Sequence, residues 1–173
     1  MGNFDDSCPV EVINNLAKTM AEADIRLVCS GNGSNVLVNL VDAIITFGGK
    51  VTYIATNFHG INSKLIDSAD EVLWANDLHR FKMLLFYTSD GVAFLPDGIA
   101  TLDVLMEYLT WMQRVYHSKP VYIVESGKFS AMLTDMFARM DLEGFLPENF
   151  RQRSVRLNSL DELIIDLKKM KEV

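Results

Sequence analysis

The sequence predicts an α/β fold with a mostly parallel sheet, and three observations lead there. Short apolar runs of strand length alternate with longer stretches whose apolar residues recur at helical spacing, from one end of the chain to the other. Val92, Ala93, Phe94 and Leu95 are apolar without alternation, as in a strand buried on both faces of a parallel sheet. Turns bearing glycine or proline stand between strand and following helix at residues 30–35 and 96–100. The chain has 173 residues, 49% of them hydrophobic, and shows no repeat, low-complexity tract or linker; it is expected to form one domain over residues 1–173.

Residues 8–22 read as a helix, with Asp6 or Ser7 as its cap, Pro9 in the first turn, and Val12, Ile13, Leu16 and Met20 as a buried stripe covering the sheet. Residues 25–29 form a short strand that enters the turn Ser30, Gly31, Asn32, Gly33, Ser34, Asn35. Val36, Leu37, Leu40, Val41 and Ile44 then restore helical periodicity. Gly48 and Gly49 end that helix and residues 51–55 make the next strand, so a right-handed βαβ unit is expected over residues 25–55. Residues 56–64 read as a polar loop, 71–74 as a short strand, and 77–88 as a helix with Leu78, Phe81, Met83 and Leu85 facing inward.

The stretch from residue 89 to 113 joins a strand, a turn and a long helix. That helix carries Leu102, Leu105, Met106, Leu109 and Met112 at helical spacing, Thr101 as its cap, and Asp103 as a first-turn partner of the helix dipole. In an open parallel sheet, ligands bind outside the carboxyl ends of strands, where the next helix offers N–H groups to an anion; function is therefore expected at residues 96–100. Residues 121–124 are a buried strand after Lys119-Pro120, 129–141 a helix that Gly144 follows, and 155–157 a short strand. Asn158 or Ser159 caps a terminal helix whose Leu160, Leu163, Ile164 and Leu167 are apolar and whose Lys168, Lys169 and Lys171 complement its dipole.

A net charge of -7 argues against a nucleic-acid or anionic-membrane surface, since both need a positive field, and leaves room for a small anion held locally. Cys8 and Cys29 are too few for a disulfide framework and lack metal-ligand spacing, so free thiols in a reducing compartment are expected, with Cys29 in the core. No basic leader and no run of about 18 apolar residues is present, which implies a soluble cytoplasmic protein. His59, His79 and His117 lie in different segments, so each reads as structural or exposed, and neither a metal nor a cofactor is expected. Trp111 and Met112 read as packing, and nothing in the sequence pairs Cys29 with a base.

The order of these features resembles the Lonely Guy (LOG) family, once mislabelled lysine decarboxylases, from about residue 10 to the end of the chain. The family's GGGxxGxMG turn is matched at residues 30–38, its methionine-histidine-glutamate-arginine-lysine stretch at Leu78, His79, Arg80, Phe81 and Lys82, and its PGGxGTxxE at residues 96–104. Its tryptophan and glutamine before lysine-proline are matched by Trp111, Gln113 and Lys119-Pro120. The resemblance implies a Rossmann-like three-layer α/β/α fold, a homodimer, and hydrolysis of the N-glycosidic bond of a nucleoside 5′-monophosphate. Relatives usually open with a strand before the first helix, whereas only residues 1–6 precede it here; the sheet has either lost that first strand or moved residues 25–29 toward its centre.

The resemblance also marks where this chain departs. Val104 stands at the family's catalytic glutamate, Phe81 at its arginine unless a one-residue shift puts Arg80 there, Asp97 at its first motif glycine and Ala100 at another. A phosphate about 4 Å from Asp97 would be repelled by about 4 kcal/mol at an effective dielectric near 20. Ser30, Asn32 and Asn35 replace glycines in the first turn, so hydrogen-bonding side chains stand where the family has a bare backbone cradle. The expected ligand-binding residues are Ser30, Gly31, Asn32, Asn35, Lys82, Pro96, Asp97, Gly98, Ile99, Ala100 and Thr101. The carboxylates and cation that could replace the family's pair are Glu107, Asp103 and Arg80.

Three functions follow. The first is a LOG-like nucleotide or nucleotide-signal binder that has lost catalysis. The second is a divergent phosphoribohydrolase cleaving a purine or cytokinin nucleoside 5′-monophosphate through Glu107, Asp103 or Arg80. The third takes Ser30, Gly31, Asn32, Gly33 and Ser34 as a resemblance to the turn of sugar isomerase domains, with a phosphosugar as ligand.

Overall fold

The computed structural model describes residues 10–31, 34–57, 62–95, 98–124, 127–146, 155–158 and 160–170. The expected caps at Asp6, Ser7 and Ser159, and the residues Cys8, Pro9, His59 and Lys171, lie outside them. Two compact units emerge: an amino-terminal one built on Asn3–Ser89 with Ile164–Val173, and a second built on Asp90–Leu163.

In the amino-terminal unit the order is α1 (Val10–Glu22), β1 (Leu27–Ser30), α2 (Asn35–Thr46), β2 (Val51–Thr56), α3 (Ser63–Ser68), β3 (Glu71–Ala75) and α4 (Leu78–Thr88). The three strands are parallel in the order β1-β2-β3, with Leu27 beside Val51 and Thr52 beside Glu71. All six residues of the central strand β2 are buried. Full burial of a valine or isoleucine there is worth about 1.5–3 kcal/mol. Thr52 and Thr56 are polar members of that run, and the Thr52 hydroxyl donates to Glu71 at 3.0 Å while Arg26 donates to both the Thr52 and Glu71 side chains at 3.2 Å. Val51 N–H meets Asp70 at 2.8 Å. These bonds tie the starts of the strands together and satisfy a hydroxyl that would otherwise be costly to bury.

Helix α1 buries Ile13, Leu16, Ala17, Thr19 and Met20, and packs against α2. The expected stripe is thus shifted from Val12 toward Ala17 and Thr19. A close approach explains Gly49, whose added Cβ would stand 2.7 Å from Ile44 Cγ2 and 3.3 Å from Ala21 Cβ. Residues 56–64 are not wholly a loop, because α3 begins at Ser63 with Asn62 capping it through Leu65 N–H at 3.2 Å. Helix α4 starts as expected, with Asp77 accepting from Arg80 N–H at 2.8 Å, and packs on all three strands. None of its residues is fully buried, however, and Leu78, expected to face inward, is 50% exposed.

The second unit contains β4 (Val92–Phe94), α5 (Ile99–Gln113), β5 (Val121–Val124), α6 (Gly127–Leu142) and β6 (Val155–Asn158), and α7 (Leu160–Met170) begins in it. Its strands are also parallel, in the order β4-β5-β6. β5 is buried throughout. β4 is not buried on both faces: Phe94 is buried, Val92 half-buried and Ala93 exposed. Helix α5 buries Val104, Leu105, Tyr108, Leu109 and Met112, while Met106 is exposed and Leu102 half-buried. The buried face is therefore rotated from the expected one toward Val104 and Tyr108. Trp111 stacks on Tyr108 at 5.9 Å, the packing role expected of it.

Helix α5 ends in a left-handed residue that is not glycine. Tyr116 N–H bonds Trp111 carbonyl at 2.9 Å and Val115 N–H bonds Met112 at 3.0 Å, the paired bonds of a Schellman motif, with Val115 at φ +64°. A β-branched residue is strained there. His117 is structural: its Nε2 bonds Tyr108 carbonyl at 2.9 Å and its Nδ1 accepts from Lys119 N–H at 3.2 Å. That pair of contacts requires a neutral ring with the proton on Nε2.

Candidate ligand-binding turns

In the amino-terminal unit the expected site residues gather where β1 runs into α2. Ser30 ends the strand and is half-buried; Gly31 follows, exposed, at φ +104°. Among the described residues no atom lies within 4 Å of a Cβ built on Gly31, so its conformation rather than crowding calls for glycine. Ser34 caps α2, accepting from Leu37 N–H at 3.3 Å, and Asn35 is the first helical residue, exposed. Asn32 and Gly33 lie outside the described residues. On α4, Arg80 is exposed and Lys82 half-buried.

The floor of this turn is buried. Cys29 is 7% exposed, as expected of a core thiol, and burial pushes its pKa from 9.0 to about 12. At neutral pH it is a thiol rather than a nucleophilic thiolate. Beside it in the parallel register is Tyr53, whose hydroxyl donates to Gly31 carbonyl at 2.7 Å. Burial, and secondarily Cys29, push the Tyr53 pKa upward, which keeps the phenol protonated and able to donate. Sequence reasoning missed Tyr53. The signal was a phenol inside a strand otherwise made of small and β-branched residues, since its hydroxyl asks for a partner when buried.

In the second unit the expected residues gather at the start of α5. Gly98 is its N-cap, in extended conformation and without a side-chain cap bond; Leu102 N–H closes the first helical bond to Gly98 carbonyl at 3.1 Å. Thr101 is therefore inside the helix rather than its cap, and Asp103 lies beyond the first turn rather than in it. Ile99 and Ala100 are exposed, Ile99 at 82%. Asp103 is exposed and Glu107, one turn from Val104, is half-buried. Val104 is 9% exposed, in the apolar face of the helix. Pro96 and Asp97 lie outside the described residues. Chemically, the first unit offers hydroxyls, amides and two cations, and the second a helix start with two carboxylates farther along. Among the described residues, no group of three His, Cys, Asp or Glu could hold a metal, and no helix is long and apolar enough to cross a membrane.

The family described as possible lysine decarboxylase matches residues 35–167. A probable cytokinin riboside 5′-monophosphate phosphoribohydrolase of Arabidopsis thaliana is 31% identical over 160 residues, covering 88% of this chain and 76% of that protein. A cytokinin riboside 5′-monophosphate phosphoribohydrolase of Rhodococcoides fascians is 24% identical over 155 residues, covering 89% and 78%. Among solved structures, a molybdenum cofactor binding protein from Rippkaea orientalis superimposes with a TM-score of 0.66 at 16% identity, covering 96% of this chain and 91% of the other. The molybdenum cofactor carrier protein of Chlamydomonas reinhardtii gives 0.58 at 15% identity, covering 95% and 88%. These two likenesses show the fold, a Rossmann-like α/β arrangement with parallel strands.

Proposed function

The chain belongs to the LOG family of possible lysine decarboxylases, and on that footing we propose that it is a divergent phosphoribohydrolase acting on a nucleoside 5′-monophosphate. The observation that carries this reading is the 31% identity over 160 residues to the Arabidopsis protein, whose name states that activity. In the reaction the C1′–N bond breaks, water supplies a hydroxyl to C1′ and a proton to the departing base, and ribose 5-phosphate remains. An oxocarbenium-like centre of this kind calls for a carboxylate nearby and cations on the phosphate or ribose. Glu107 and Asp103 in the second unit are the candidates for the first role, and Arg80 and Lys82 in the amino-terminal unit those for the second. The ligand-binding candidates are Ser30, Gly31, Asn32 and Asn35 in the amino-terminal unit, and Pro96, Asp97, Gly98, Ile99, Ala100 and Thr101 in the second. The working form is a cytoplasmic homodimer, and the chain acts as one domain.

A second reading, binding without cleavage, is favoured by Val104. By resemblance it stands where the family carries its glutamate, and here that position is packed into an apolar helix face. Solved proteins of this fold include ones titled as binding and carrier proteins, so the fold does not choose between the two readings.

Incubation with AMP and with a cytokinin nucleotide, followed by chromatography of the base and calorimetry of binding, decides. Release of base with equimolar ribose 5-phosphate, slowed about 10²- to 10⁴-fold by Glu107→Gln or Asp103→Asn, supports hydrolysis. Saturable binding without release selects the second reading. Neither binding nor release sinks both.

A further inference from the structure

We infer that Tyr53 is a positioning residue for ligand binding, holding the Gly31 turn in its ligand-accepting form through the hydrogen bond to Gly31 carbonyl. The inference rests on the reading of that turn as part of a nucleoside 5′-monophosphate site. Tyr53 lies in the middle of the fully buried central strand and is 2% exposed, so its ring is held by the sheet core. For packing alone a phenylalanine would serve. The hydroxyl reaches past the end of β1, two residues beyond its register partner Cys29, to Gly31 at 2.7 Å. Gly31 itself is exposed and left-handed, and no atom of the described residues stands within 4 Å of its Cβ direction. Side-chain packing does not hold this residue, and the Tyr53 bond ties it to the neighbouring strand.

The electrostatic consequence concerns the ligand. A phosphate at a strand-end turn is bound by N–H groups, and a carbonyl that swings toward it presents partial negative charge. Occupied by Tyr53, the Gly31 carbonyl is kept engaged with the sheet. The phenol is suited to this duty because it remains a donor: burial, and then Cys29, raise its pKa.

The test compares wild type with Tyr53→Phe, and with Gly31→Ala as an independent perturbation of the same turn. Amide hydrogen exchange in the ligand-free protein is the first readout and AMP binding the second. One hydrogen bond corresponds to about 2- to 12-fold in an equilibrium constant. Tyr53→Phe is expected to speed exchange by that factor in the peptide spanning the end of β1 and the turn, to leave β3 and the body of α2 unchanged, and to weaken AMP binding by a similar factor. Gly31→Ala should reproduce the local pattern. Unchanged exchange at the turn, acceleration spread equally over β2, β3 and α2, or unchanged or tighter AMP binding overturns the assignment. If wild type binds no AMP while exchange rises only at the turn, the nucleotide reading falls and the brace stands.

Discussion

The turn after β1 and the turn before α5 follow the same plan, a parallel strand running through a glycine into a helix, but they are finished differently. In the first, Ser34 caps the helix and Tyr53 braces Gly31 from the sheet. In the second, α5 starts at Gly98 with no side-chain cap and with Ile99 82% exposed. A turn held by side chains keeps its shape at its own expense. One that starts without a side-chain cap leaves its first amides to other partners.

The largest effect that probes this contrast is a pH dependence beneath the first turn. The folded chain holds the Cys29 proton to about pH 12 and the unfolded chain to about 9.0. Above pH 9 the unfolded state therefore binds fewer protons. The contribution is fully present below that pH and is lost as pH rises toward 12, with a slope of about 1.4 kcal/mol per pH unit. Urea unfolding at pH 7, 9 and 10.5 should show the decline, and Cys29→Ala should flatten it; equal slopes in the two proteins would refute a buried thiol beneath the turn.

Next in size is Gly31→Ala, expected to cost about 1–2 kcal/mol through the left-handed backbone alone, because the space around its Cβ is open. A loss below a few tenths in chemical denaturation would mean that the turn relaxes freely. Ser34→Ala should cost about 1 kcal/mol, the usual worth of a helix cap. The smallest effect belongs to the second turn: Gly98→Ser, at an extended φ that any residue adopts and with open space around it, should stabilise by a few tenths of a kcal/mol. If Ser34→Ala and Gly98→Ser both leave the unfolding midpoint unchanged, the two turns are energetically alike and the contrast drawn here is wrong.

Much of the scaffold was legible because local patterns and burial agree. Residues 121–124 read as a buried strand and are one, and Asp77 and Gly48 punctuate helices where their chemistry suggests. The departures have identifiable causes. Helix α5 is apolar on more than one side, so spacing alone could not choose between a face with Leu102 and Met106 and one with Val104 and Tyr108. Helix α3, six residues long, is too short for a periodic signal. Val92, Ala93, Phe94 and Leu95 are all apolar, which predicts burial on both faces, but apolar residues are often exposed and Ala93 is one of them. Threonine is a good cap, which points to Thr101, whereas the cap of α5 is three residues earlier, at Gly98.

The candidate site divides along the same line. Order along the chain sets which residue types stand at the two turns. Tertiary structure decided that Val104 belongs to a buried helix face, that Cys29 is held as a thiol, and that Tyr53 reaches Gly31. Each of those depends on which strand lies beside which and on how a helix is rotated. Such facts arise from packing between segments distant in sequence, and no local pattern encodes them.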